Sequence, residues 1–90
     1  MTVNKYTCPC CGYKTLDFEG EFDICPICFW EDDYYQFMNP ASDRGANRMS
    51  LREAQKNFIL LGACDDDGRQ YVRTPTSADE KTFGLSNFIY

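Results

Sequence analysis

Apolar residues at three- and four-residue steps, Leu51, Ala54, Phe58 and Leu61, mark one face of an amphipathic helix. Its start is written in Ser50-Leu51-Arg52-Glu53, a capping box. The Ser hydroxyl accepts a backbone N–H and the Glu reaches back to the Ser N–H. Gly62 suits the left-handed residue that stops a helix, so the pattern predicts a helix over 50–62. Upstream the period shortens. Residues 13–18 and 21–25 read as two short strands around Glu19-Gly20, a hairpin signal. Asn39-Pro40, Ser42-Asp43 and Gly45 mark 37–47 as loop. Beyond the helix lies an irregular C-terminal segment, 63–90. In it Asp65-Asp66-Asp67-Gly68 is a turn, 70–73 a candidate short strand and 77–80 a candidate helical turn. The tail, with Phe83, Phe88, Ile89 and Tyr90, is expected to pack on the domain or on a partner.

Size changes this picture. Ninety residues make one domain, 1–90, with a core small enough to need a staple. The chain has six cysteines and no histidine, which excludes histidine-based triads and dyads and any mixed Cys/His zinc site. Cys8-Pro9-Cys10-Cys11-Gly12 and Cys25-Pro26-Ile27-Cys28 form two C-x2-C pairs separated by thirteen residues. That spacing reads as a zinc site. Each C-x2-C turn brings two thiolates to one side. Pro9 and Pro26 pre-set φ for the turn, and Gly12 permits the left-handed residue that closes it. Two such knuckles give a closed tetrahedral site for one structural Zn2+, ligated by Cys8, Cys11, Cys25 and Cys28, within a ribbon over 6–36. Two disulfides, or iron on the same four ligands, are the alternatives. Cys10 reads as an exposed thiol at a variable knuckle position. A ligand replacing Cys11 and a reactive thiol are the other options. Cys64 reads as a small buried hydrophobe.

Charge narrows the partners. The net charge is −5, with −5 over 1–36, +2 over 37–62 and −2 over 63–90. Four thiolates and a divalent cation sum to −2, so zinc loading takes the whole to about −7. Such a surface disfavours nucleic acid and attracts basic proteins. Trp30-Glu31-Asp32-Asp33 is the candidate partner surface, an aromatic anchor beside three acids. In the alternative, Trp30 packs between ribbon and helix and the acids are solvated. Arg44, Arg48, Arg52 and Lys56 could instead give a basic face for nucleic acid, diluted by Glu53. The Asp65–Asp67 run fails the EF-hand template, because Ala63 and Thr74 fall at the first and last ligand positions. No 18-residue apolar run and no signal-like h-region are present, so a cytoplasmic protein with no membrane span is expected.

Three stretches together resemble the bacterial cysteine-rich CPCC family. They are Tyr6-Thr7-Cys8-Pro9-Cys10-Cys11-Gly12-Tyr13, then Ile24-Cys25-Pro26-Ile27-Cys28-Phe29-Trp30-Glu31-Asp32-Asp33, then Gly45-Ala46-Asn47-Arg48-Met49-Ser50-Leu51-Arg52-Glu53-Ala54. The resemblance spans residues 6 to 54. It implies a small zinc-ribbon-type protein and no settled activity. Phe29 departs from the ribbon pattern, where a second knuckle would often carry Gly, and must take an unusual φ or distort the knuckle. The expectation is a small α+β protein: a zinc-ribbon-like N-terminal half packed on one helix, then an irregular segment. Its expected role is a non-enzymatic binding module for a basic protein, for instance of immunity or antitoxin type. A nucleic-acid-associated ribbon and a thiol enzyme using Cys10 are the alternatives.

Overall fold

The computed structural model describes residues 5–82. It is a small α+β structure with two two-stranded antiparallel hairpins. Strand β1 (Tyr6–Thr7) pairs with β2 (Lys14–Leu16), and β3 (Glu21–Ile24) pairs with β4 (Glu31–Asp33). Helix α1 (Tyr34–Met38), helix α2 (Leu51–Leu61) and a 3-10 helix (Asp67–Tyr71) follow. The expectations on Phe83, Phe88, Ile89 and Tyr90 lie outside the described residues.

The two predicted strands exist, but they do not pair with each other. Each pairs instead across its own cysteine turn, because the knuckle itself reverses the chain. Residues 17–20 form a bend joining one hairpin to the other. The Asp23 carboxylate holds that bend by accepting the Asp17 and Phe18 N–H groups, each at 3.0 Å. Both hairpins carry a register irregularity. In β3 Phe22 takes φ 68, although its side chain is largely exposed.

Helix α2 begins and ends where the capping residues place it. The Ser50 hydroxyl accepts the Glu53 N–H at 3.1 Å, and Gly62, at φ 78, donates its N–H to the Phe58 carbonyl at 2.9 Å. Its buried face differs from the predicted stripe. Leu51 and Ala54 are fully buried and Phe58 packs on the core, but Leu61 is 38% exposed. Gln55 is buried instead, and its Nε2 donates to the Pro9 carbonyl at 2.9 Å. A polar residue is tolerated there because it satisfies an acceptor that the first knuckle buries.

Helix α1 lies where no helix was expected. Asp33 is its N-cap, with Oδ1 accepting from Tyr35 N–H at 2.8 Å and Gln36 N–H at 3.2 Å. The 37–47 region does lack regular structure after α1, but a buried polar network fixes it. Gln36 Nε2 donates to the Met49 carbonyl at 2.9 Å, and Gln36 Oε1 accepts from Asn47 Nδ2, also at 2.9 Å. Asn47 pairs with both backbone groups of Glu31. A Cβ on Gly45 would sit 2.6 Å from Asp33 Oδ2, so this glycine lets the loop close onto the cap. Downstream, the 70–73 strand is not formed. The chain makes the 3-10 helix there, after Asp65 Oδ1 accepts Gly68 N–H at 2.7 Å. Residues 77–80 make a turn rather than helix, with the Arg73 guanidinium forked onto Asp79 at 2.8 and 2.9 Å.

Among the described residues the core is one cluster: all six cysteines with Leu16, Ile27, Trp30, Met49, Leu51 and Ala54. The cysteine centre is thus the middle of the packing. Among the described residues no helix is long and apolar enough to cross a membrane.

Candidate metal centre

The two knuckles repeat one another. Cys8 N–H donates to the Tyr13 carbonyl at 2.9 Å and Gly12 N–H to the Cys8 carbonyl at 2.8 Å. In the second knuckle Cys25 N–H donates to Trp30 at 2.9 Å and Phe29 N–H to Cys25 at 2.8 Å. Gly12 closes the first at φ 82, and Phe29 closes the second at φ 73. The second knuckle is therefore undistorted, and the phenylalanine itself takes the left-handed conformation. Its ring stacks on Tyr71 with centroids 5.0 Å apart, and Gly68 packs against its Cβ. Those contacts from the 3-10 helix offset the strain.

Closure of the knuckles brings Cys8, Cys11, Cys25 and Cys28 together, with the four sulfurs all within 4.8 Å of one another. Cys8 Sγ lies 3.5 Å from Cys28 Sγ and Cys11 Sγ 3.7 Å from Cys25 Sγ, so each close pair spans the two hairpins. All four residues are 0% exposed. Such a set could hold one metal ion. Around it, Thr15 Oγ1 lies 3.0 Å from Cys25 Sγ, and Ile27 N–H donates to that sulfur at 3.4 Å. Cys64 N–H donates to the Cys28 carbonyl at 2.7 Å, tying the segment after α2 to the second knuckle.

Hydrogen bonds from Cys11, then Cys28 and Cys8, hold Cys25 far below the ordinary thiol range. Burial pushes Cys8 and Cys28 well above it. Without a cation, one thiolate is stabilised by its neighbours' protons, and further thiolates are opposed by burial. A metal ion must therefore displace protons to bind.

Cys10 corrects one expectation, since it is 0% exposed rather than a surface thiol. Burial raises its pKa, and it stands outside the four-sulfur group. Cys64 is buried as expected, its thiol pushed up to about 12 by burial. The Trp30-Glu31-Asp32-Asp33 stretch is largely buried. Trp30 is 0% exposed, Asp32 3% and Asp33 6%. Trp30 fills the core, Asp33 caps α1, and Asp32 Oδ2 accepts the Gly20 N–H at 2.7 Å, so only Glu31 retains partial exposure. On the basic side, Arg44, Arg52 and Lys56 are exposed, while Arg48 pairs with Asp67 at 2.9 Å.

Sequence reasoning missed Thr15, Gln55 and Tyr71, which support the centre through a sulfur, a carbonyl and a ring. A lone Thr after a knuckle, or a Gln beside an apolar stripe, carries no local signal of that role. Comparison with curated proteins gives no match. A family model described as cysteine-rich CPCC matches residues 6–79, extending past the quoted motifs through α2 and the 3-10 helix that braces Phe29. With most of its length so matched, and with both cysteine knuckles inside that span, the chain belongs to the cysteine-rich CPCC family.

Proposed function

We propose that this protein is a zinc-held, non-enzymatic binding module for a basic protein in the cytosol. The observation that carries the zinc reading is the closed four-sulfur set. A tetrahedron with Zn–S bonds of about 2.3 Å has S···S edges of about 3.8 Å. The close pairs, at 3.5 and 3.7 Å, fit that edge. Four buried thiolates leave no open position for a water, which favours a structural over a catalytic ion. The buried, raised Cys10 thiol speaks against thiol chemistry.

Charge supports the partner class, and exposure moves the surface. Glu19 and Glu21 are exposed and form no ion pair among the described residues. Phe18 and Phe22 beside them are 62% and 55% exposed. Phe22 also holds a strained positive φ with its side chain displayed to solvent, a pattern that strain at functional positions explains. Masking a basic toxin is one form such binding takes. The basic-face alternative is weaker, because Arg48 is already paired.

Elemental analysis of the purified protein should find one zinc per chain, and Cys28→Ser should lose both metal and fold. Affinity capture at low salt should retain one stoichiometric basic protein, released when Glu19 and Glu21 are both changed to Lys. Retention of nucleic acid instead, or a partner indifferent to that reversal, would sink the partner reading.

A further inference from the structure

Beside the bend at 17–20 lies a cleft of about 150 Å³. That is comparable to an engineered cavity that admits benzene, so it has room for the end of one side chain. Thr7, Pro9, Glu19, Gly20, Asp32, Tyr34 and Phe37 line it. Asp32 is the unusual member. It is 3% exposed, yet among the described residues no Lys or Arg pairs with it. A buried carboxylate with no counter-charge is costly. The surroundings deepen the problem, since Glu19 and Asp23 add like charge. The neighbouring Trp30 indole N–H is buried and makes no hydrogen bond of ordinary geometry. Burial raises the Asp32 pKa, whereas the Gly20 N–H and the nearby indole favour the ionised form.

We propose that this cleft takes the ammonium group of a lysine side chain on the basic protein partner, with Asp32 as counter-charge and Tyr34 and Phe37 as walls. The inference rests on the binding-module reading above and names the chemistry by which the partner is held. The aromatic walls suit a cation, whose charge is attracted to ring faces. An ammonium fits better than a guanidinium. A compact point charge needs only one carboxylate oxygen, whereas a guanidinium is a wider plane whose two-point fork needs both oxygens presented along one edge of so small a cleft. A metal ion fits worse, since one buried carboxylate falls far short of the six or more oxygens that calcium takes. Gly20 lets the bend approach Tyr34 closely at the rim. It sits at φ 70, and a Cβ there would lie 3.2 Å from the Cβ of Tyr34.

The test is a nitrogen-15 NMR titration of the zinc-loaded protein with N-acetyl-lysine methylamide at constant ionic strength. The Gly20 amide and the Trp30 indole N–H are the reporters. Both should shift saturably with the lysine compound, less with the arginine analogue, and not with the norleucine analogue, which lacks the charge. Asp32→Asn, nearly isosteric and still able to accept from Gly20, should weaken binding at least about tenfold while zinc content is unchanged. Glu19→Gln, at the exposed rim, should weaken it by less. Shifts that never saturate, or equal affinity in Asp32→Asn, overturn the proposal. If the basic partner binds through Glu19 and Glu21 while the lysine compound leaves Gly20 unmoved, the cleft is wrong and the binding module stands. If the lysine compound binds and no basic protein does, the cleft stands as an amine site and the partner reading falls.

Discussion

At the second knuckle a phenylalanine stands where the first has a glycine, and both residues take nearly the same φ. A left-handed conformation costs a side-chain-bearing residue about 1–2 kcal/mol. The stack on Tyr71 returns about 0.5–1.5 kcal/mol beyond ordinary burial. Two substitutions separate these effects. Phe29→Gly relieves the backbone and loses the ring, with an expected net loss of about 1 kcal/mol. Phe29→Val loses the ring and makes the backbone worse, because branching at Cβ fits that region poorly. It should be about 2 kcal/mol less stable than Phe29→Gly in urea unfolding of the zinc-loaded protein. Equal stability of the two variants would mean that φ is not what constrains this position.

At the scale of elements, two N-caps do different amounts of work. The Ser50 hydroxyl holds one backbone donor of α2. The Asp33 carboxylate holds three: Tyr35, Gln36 and, through Oδ2, Ala46 at 2.9 Å. Ser50→Ala should therefore cost about 1 kcal/mol. Asp33→Ala should cost about 2–3 kcal/mol, because three donors of α1 and of the loop, the Gln36 N–H among them buried, lose their acceptor together. Denaturant midpoints of the two variants decide this, and the reverse order would show that the loop stands without Asp33. The same comparison explains what the sequence disclosed. Helix α2 was legible because its cap, stripe and stop are local. Each C-x2-C pair was legible for the same reason. Helix α1 was hidden, since its cap is the last of three acids that read, with Trp30, as a partner surface. Strand pairing was misassigned because a hairpin signal at Glu19-Gly20 competes with two knuckles that already turn the chain. The burial of Asp32 and Asp33 depends on Gly20, Gln36 and Ala46, which no pattern around Trp30 brings near.

For the whole molecule the cysteine centre and the core are one object, so metal and fold should leave together. Structural zinc contributes an apparent ~10–16 kcal/mol in small peptides. A domain's whole stability is about 5–15 kcal/mol. Chelation should accordingly collapse the dispersion of the NMR spectrum in a single step, and a protein that keeps it would show a core independent of metal. Acid should act likewise. Below the ordinary thiol range of about 8.5 the metal-free chain carries protons on its cysteines, and burial opposes thiolate at Cys8 and Cys28 in particular, so a metal must displace at least two protons. Apparent zinc affinity should then rise with pH by about 100-fold per unit or more below the thiol range, the slope for two displaced protons. It should fall correspondingly as the solution is acidified. Competition against a chelator at several pH values measures the slope, and a flat profile would contradict it. One consequence concerns fidelity of assembly. Each hairpin carries two of the four clustered cysteines, half of the proposed metal site, and the two hairpins do not pair with each other. A half-site is equally complementary to the other half on a different chain. What favours closure within one molecule is the bend at 17–20, a tether only four residues long. Short tethers hold their ends at an effective concentration of about millimolar. Newly made chains well below that level should capture zinc alone, whereas crowded refolding would trade partners and link chains through shared ions. On the zinc reading proposed above, that bend, more than the knuckles, would set the boundary between a monomer and a metal-bridged aggregate.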